Sequence, residues 1–146
     1  MSEPSETKPD PLSGARARGD HYKQLELASA ENLTSSEAAE RIGLSEAWVN
    51  TLRQRGELYA LFGPDRESEF RYPAWQFDCH RERLSTILKA LSKAGVDQWG
   101  VHVFMNNASK GLQGRTPRDY ILDSGAPLAE VLVVLERRYV DEQGAQ

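Results

Sequence analysis

Residues 34 to 58, Thr34-Ser35-Ser36-Glu37-Ala38-Ala39-Glu40-Arg41-Ile42-Gly43-Leu44-Ser45-Glu46-Ala47-Trp48-Val49-Asn50-Thr51-Leu52-Arg53-Gln54-Arg55-Gly56-Glu57-Leu58, decide how this chain folds. Thr34 followed by Glu37 is a capping box, in which the hydroxyl accepts from the Glu37 amide and the carboxylate reaches back to the Thr34 amide. Ala38, Ala39 and Ile42 follow at helical spacing. Gly43 ends that helix, Leu44 is expected to plug the turn, and Ser45 caps a second helix. Val49 and Leu52 point inward from the second helix, and Gly56 terminates it.

Two short helices joined by a glycine-containing turn match the helix-turn-helix pattern. After Gly56 the periodicity changes from helical to extended. Leu58-Tyr59-Ala60-Leu61-Phe62 reads as a strand, Gly63-Pro64-Asp65-Arg66-Glu67 as a turn, and Glu69-Phe70-Arg71-Tyr72 as the return strand. Pro73 is expected to close it, since proline cannot continue a ladder. A hairpin placed directly after such a helix reads as a wing.

Towards the N-terminus, residues 1–19 combine proline with Ser, Glu, Gly and Arg and read as a flexible arm carrying Arg16 and Arg18. A short helix is expected from His21 to about Ala30, with Leu25 and Leu27 as weak apolar anchors. Towards the C-terminus, Leu84, Ile87, Leu88 and Leu91 hold i, i+3, i+4, i+7 spacing, and Gly95 stops the run. Asp97 is positioned to cap a helix carrying Trp99, Val103 and Phe104, with His102 packed between surface and core. A glycine turn, in which Gly111 and Gly114 tolerate positive φ, leads into a second capping box. There Thr116 and Asp119 are the partners and Pro117 is the first helical residue. Gly125-Ala126-Pro127 opens a last helix bearing Leu128, Val131, Leu132 and Leu135, and the tail from Val140 is polar and expected to fray. The expected fold is mainly α: a small winged helix-turn-helix with a short β-hairpin wing, followed by a small helical bundle. The expected division is a disordered arm at 1–19, a DNA-binding domain at 20–77 and a helical domain at 78–146.

A net charge of −4 argues against a non-specific nucleic-acid binder, though a dimer can gather a few arginines on one face. Cys79, the single cysteine, excludes an intrachain disulfide, and its neighbour His80 has no further ligands at metal-site spacing. The pair reads as a small half-buried hydrophobe beside a loop-to-helix junction. Paired carboxylates, a nucleophile–base set and a phosphate-cradling loop are all missing from the pattern, so no enzyme and no cofactor are expected. No apolar run reaches a membrane span, no secretory pattern opens the chain, and the expected location is the cytoplasm.

The segment Leu33 to Leu58, with Glu37-Ala38-Ala39, Ile42-Gly43-Leu44-Ser45 and Gly56-Glu57-Leu58 at its fixed points and Arg71-Tyr72-Pro73 beyond, resembles the excisionase-like or MerR-like winged helix-turn-helix. The resemblance implies that the helix from Ser45 to Arg55 enters a major groove while the wing touches the backbone. Its candidate DNA contacts are Ser45, Glu46, Asn50, Thr51, Arg53 and Gln54, with Arg66 and Arg71 for phosphates. Trp48 either packs on the wing or faces DNA. Residues 31–75 hold five Arg against eight Asp or Glu, a net of −3, which weighs against DNA.

Phe104-Met105-Asn106-Asn107, then Leu112, Gly114, Thr116 and Pro117, Asp119, Ile121-Leu122, Gly125 and the apolar helix to Leu135 resemble the Xre/MbcA/ParS toxin-binding domain family. Leu112, Gly114, Thr116 and Pro117 form the structural signature. This resemblance implies an antitoxin of a type II toxin–antitoxin system, a dimer that neutralises a partner toxin and represses its own operon by binding operator DNA. The implied toxin is of the RES class, which consumes NAD, and the implied toxin-facing residues are Arg137, Arg138, Tyr139 and Asp141. Two features depart from the family: the wing, and a last helix running into Glu136-Arg137-Arg138-Tyr139-Val140-Asp141 rather than ending in glycine. The alternative is a stand-alone or phage-related transcriptional regulator whose C-terminal domain mediates dimerisation.

Overall fold

The computed structural model describes residues 12–63 and 70–141, and the chain enters it as a helix, α1 (Ser13–Ala28). This corrects two expectations: residues 13–19 are helix rather than arm, and the helix starts well before His21. Ala15, Arg16, Ala17 and Arg18 are good helix formers and outweigh Gly14 and Gly19. No residue of α1 is buried. Leu25 is exposed rather than an anchor, while Leu27 packs half-buried against the core.

β1 (Asn32–Leu33) leads to α2 (Ser35–Ile42) and α3 (Glu46–Gln54). Thr34 Oγ1 accepts from the Glu37 amide at 3.1 Å and Glu37 Oε1 accepts from the Thr34 amide at 2.9 Å, completing the expected box. Gly43 stops α2 at φ 71°, a left-handed conformation that glycine adopts without a Cβ penalty. Ser45 caps α3 by accepting from the Trp48 amide at 3.1 Å. Ala38, Ala39, Val49 and Leu52 are buried between the two helices and the rest of the core, whereas Leu44 is exposed and does not plug the turn.

β2 (Tyr72–Pro73) lies antiparallel on β1, with Leu33 opposite Tyr72 and Asn32 opposite Pro73. Pro73 is therefore the last residue of β2 and closes the strand, as expected, while still standing opposite Asn32. It has no N–H to give, and Ala74 donates instead to the Glu31 carbonyl at 2.9 Å. The expected strand at Leu58–Phe62 reduces to one bridge, Leu61 with Arg71. The reason lies in Gln76, whose side-chain amide accepts from Tyr59 N at 3.0 Å and donates to Tyr59 O at 2.8 Å, occupying the groups a ladder would use. Leu58, Tyr59, Ala60 and Leu61 are buried in succession, so this segment runs through the core rather than along its surface. The turn expected at 64–67, with Arg66, lies outside the described residues.

A 3₁₀ turn (Ala74–Asp78) precedes α4 (Arg81–Lys93), α5 (Gln98–Asn106), a second 3₁₀ turn (Lys110–Leu112), α6 (Pro117–Leu122) and α7 (Leu128–Leu135). Leu84, Ile87, Leu88 and Leu91 are all buried, as their spacing predicts, and Asp97 caps α5 through the Gly100 amide at 2.9 Å. The chain continues past α7 as a π-helical segment, Glu136–Asp141, so Val140 and Asp141 are helical rather than frayed, and the rest of the tail, 142–146, lies outside the described residues. Buried residues of the α2–α3 unit, the Leu58–Leu61 segment and helices α4 to α7 belong to one hydrophobic cluster.

Within the glycine turn the expectation needs adjustment. Gly114 takes φ 81° and Gln113 φ 58°, but Gly111 does not adopt a positive φ. Its lack of a side chain serves another purpose: a Cβ there would meet Val134 Cγ2 at 2.8 Å, so Gly111 lets the turn lie directly on α7. Thr116 and Asp119 form the second capping box at 3.0 and 3.1 Å.

Candidate functional site

The expected DNA-facing residues fall into three groups. Ser45 is engaged as the α3 cap, and Thr51 Oγ1 donates to the Ala47 carbonyl at 3.0 Å. Arg53 is pinned against the return segment, its Nε donating to Tyr72 Oη at 3.2 Å and its guanidinium lying 4.1 Å over the Phe70 ring. A third group, Glu46, Asn50 and Gln54, is exposed along the outer face of α3. Asn50 Oδ1 accepts from Arg53, while the Gln54 amide makes no side-chain hydrogen bond among the described residues. Trp48 is 40% exposed, with Arg55 6.0 Å over its ring. Arg71 is half-buried and its Nη1 donates to the Phe70 carbonyl at 3.2 Å.

Of the expected partner-facing residues, Arg137 and Arg138 are exposed and stand beside a groove of about 310 Å³ that Phe104, Pro117 and Gly111 also line. Tyr139 is half-buried, with its ring 5.9 Å from that of Phe104. Asp141 closes the π-helical segment.

A larger cleft, about 750 Å³, opens where α1, the β1–β2 pair, the first 3₁₀ turn, α5 and α6 meet. His102 stands in it, 5% exposed. The Glu26 carboxylate can only accept, so His102 Nε2 donates to it, at 2.6 Å. Burial pushes the Tyr59 phenol well above its ordinary range. Tyr59 thus keeps its proton and donates to His102 Nδ1 at 2.9 Å. Asn32, 7% exposed, donates Nδ2 to the Glu26 carbonyl at 2.6 Å and so fixes the end of α1 to the sheet. Across the cleft, Arg118 Nη1 donates to Asn106 Oδ1 at 3.1 Å, and the guanidinium lies 5.6 Å over the Trp75 ring. Trp75 Nε1 is the one fully buried side-chain nitrogen or oxygen without a hydrogen-bond partner among the described residues.

Sequence reading did not find this cleft. Of its residues, His102 and Val103 read as packed on one helix, Pro73 as the end of a strand, and Asn106, Asn107 and Leu122 as parts of a family pattern, with nothing to bring them together. The Tyr59–His102–Glu26 chain joins positions 43 and 76 residues apart, for which local spacing holds no signal.

Cys79 sits between the first 3₁₀ turn and α4, its Sγ donating to the Gln76 carbonyl at 3.3 Å. Burial pushes its thiol up to about 11, which keeps it protonated and unreactive at neutral pH. Among the described residues no group of three or more His, Cys, Asp or Glu is placed to hold a metal ion, and no helix is long and apolar enough to cross a membrane. The chain matches no protein-family model, no curated protein and no solved structure.

Proposed function

We propose that this chain is a DNA-binding repressor of the antitoxin type. On this reading residues 20–77 act as a winged helix-turn-helix that sets α3 into the major groove of an operator, and residues 78–146 hold a partner toxin. The observation that carries the DNA half is the element order. Helix, strand, two capped helices, an extended segment and a return strand that lies back on the first strand is the order a winged helix needs, and Glu46, Asn50 and Gln54 of α3 are exposed. Gln54 is then the primary reader and Asn50 the second, since amide side chains can contact adenine through two hydrogen bonds. Arg53 acts indirectly, by holding α3 to the return segment through Tyr72 and Phe70.

A mobility shift on the DNA upstream of the chain's own reading frame tests this half. Gln54→Ala and Asn50→Ala are each expected to weaken binding about ten-fold, in line with the ~1–3 kcal/mol of a two-bond base contact. No shift, or a shift that neither variant changes, overturns it. The antitoxin half is tested by co-expression with the product of the adjacent gene. Restored growth and a complex on size exclusion are expected; absence of both removes the toxin while leaving DNA binding intact.

One observation favours the second reading, a stand-alone regulator that dimerises through its C-terminal half. Val133 and Val140 are 46% and 48% exposed on the last helical segment, apolar surface suited to a second copy of the chain. Sedimentation that stays dimeric in Val133→Glu excludes this face as the dimer contact.

A further inference from the structure

We propose that the groove where the end of α5, the second 3₁₀ turn and the last helical segment meet receives an extended peptide segment of a protein partner, one that carries an acidic side chain beside an apolar one. The proposal rests on the reading that residues 78–146 hold a protein, and it needs no toxin. The groove, about 310 Å³, has room for a few side chains rather than for a folded surface.

The backbone decides the form of the ligand. Asn107 and Ser109 are extended, at φ −108°, ψ 132° and φ −134°, ψ 141°. Ser109 commits both of its backbone groups to the fold. Its N–H donates to the Arg115 carbonyl at 3.0 Å, and its carbonyl accepts from Leu112 and Gly114 at 3.0 and 2.9 Å. Along extended backbone, neighbouring residues offer these groups to opposite sides. Ala108, exposed between the two and part of the groove lining, has neither its N–H nor its carbonyl engaged among the described residues. Such a pair of groups is what a second strand bonds to, and adding a strand to a free edge is a recurring mode of peptide recognition. An isolated carboxylate would use the N–H and leave the carbonyl unpaired.

Side chains decide its composition. Phe104 and Pro117 are buried in the lining and Val134 is half-buried, which gives the groove an apolar part. Its charged lining is Arg137 and Arg138, with no described acid beside them, in a chain of net charge −4. Arg137 has no side-chain partner among the described residues, and Arg138 lies only against the Tyr139 ring, at 5.4 Å. Each guanidinium is therefore free to take a carboxylate through two parallel hydrogen bonds. Phosphates of a nucleic acid would also meet the arginines, but they would leave the apolar lining and the Ala108 carbonyl without a partner. A peptide satisfies all three.

Selection from a displayed library of random peptides on the full chain tests the proposal, followed by fluorescence anisotropy of an enriched peptide. Enriched sequences are expected to place Asp or Glu beside an aliphatic or aromatic residue. Arg137→Gln and Arg138→Gln together should weaken that peptide about ten-fold, the size of two exposed ion pairs. Lys93→Gln, at an exposed cation of α4 outside the groove, should leave it unchanged. Methylating the peptide's amides one at a time should abolish binding at one position, the residue paired with Ala108. The proposal is overturned by no enrichment, by enrichment of basic sequences, by equal losses in the arginine and lysine variants, or by tolerance of methylation at every position. Full displacement of the peptide by a short DNA duplex also overturns it and assigns the arginines to phosphate. Rescue of growth by the chain without peptide enrichment keeps the antitoxin and removes this groove; enrichment without rescue does the reverse.

Discussion

Helices α2 and α6 begin with the same device and end by different ones. Each starts with a threonine whose hydroxyl and whose amide exchange hydrogen bonds with an acidic residue three positions on. α2 then stops at Gly43, whose left-handed backbone lets its own N–H and that of Leu44 satisfy the last carbonyls. α6 stops on a side chain from elsewhere. Arg83 of α4 donates to the carbonyls of Ile121, Asp123 and Ala126 at 3.2, 3.0 and 3.0 Å, and to Tyr120 as well. A helix whose outer side stays in solvent can be closed by its own chain. A helix packed into a bundle, with Tyr120 and Ile121 buried, is closed by its neighbour, and the closure also fixes where the bundle's next segment begins.

The largest effect is therefore expected at Arg83. Arg83→Ala takes the side-chain donor from four carbonyls, of which only that of Asp123 keeps a backbone partner, the Ala126 amide at 2.9 Å, and should cost about 3 kcal/mol in urea unfolding, the upper end for hydrogen bonds to a charged group. Gly43→Ala, which places a Cβ on a left-handed residue with open space around it, should cost about 1 kcal/mol. Equal losses would mean that closure by a neighbour carries no more of the fold than closure by glycine.

Two glycines of one turn sharpen the contrast between packing and backbone strain. Gly111→Ala drives a methyl towards Val134 Cγ2, 2.8 Å from the ideal Cβ, and should cost about 2 kcal/mol. Val134→Ala in the same chain should return much of that loss. Gly114→Ala meets nothing within 4 Å and should cost about 1 kcal/mol, through its positive φ. Losses at Gly114 that Val134→Ala also repairs would contradict this division.

What could be read in advance follows the same line. Thr34, Gly43 and Ser45 announce α2 and α3 because caps and αL stops act over a few residues, and Leu84, Ile87, Leu88 and Leu91 announce α4 because one turn repeats within the window. Arg83 sits among those leucines with nothing in its spacing to show that it faces carbonyls some 40 residues on. Gln76 and Tyr59, which replace a strand ladder by a side-chain amide, are invisible for the same reason. The cleft is the extreme case. Glu26 lies on a helix with no buried face, and only the tertiary fold brings it to His102. The outer face of α3 was legible as a surface, but the commitment of Arg53 to Tyr72 and Phe70 was not.

The two capping boxes provide a smaller test. Thr34→Ala and Thr116→Ala should each cost about 1 kcal/mol, since each removes one hydroxyl acceptor from one amide. A clearly larger loss at Thr116 would show that burial of α6 raises the value of the same bond.

The smallest effect concerns acid. The backbone N–H of Thr116 holds the Asp119 carboxyl below its ordinary 3.8, with its hydroxyl contact and Arg115 and Arg118 adding to the shift. A carboxyl lowered on folding stabilises the fold when ionised. That contribution is complete above 3.8 and is lost as the pH falls through the lower, folded-state value. Asp119→Asn lacks the charge at every pH. The gap in urea midpoint between wild type and Asp119→Asn should therefore hold steady from neutral pH down to about 5 and narrow below 3.8. Asp119 is exposed, so solvent screens the effect and the gap starts small. A gap unchanged through the acid range would mean that the box works through the geometry of its hydrogen bonds, with the carboxylate's charge adding nothing.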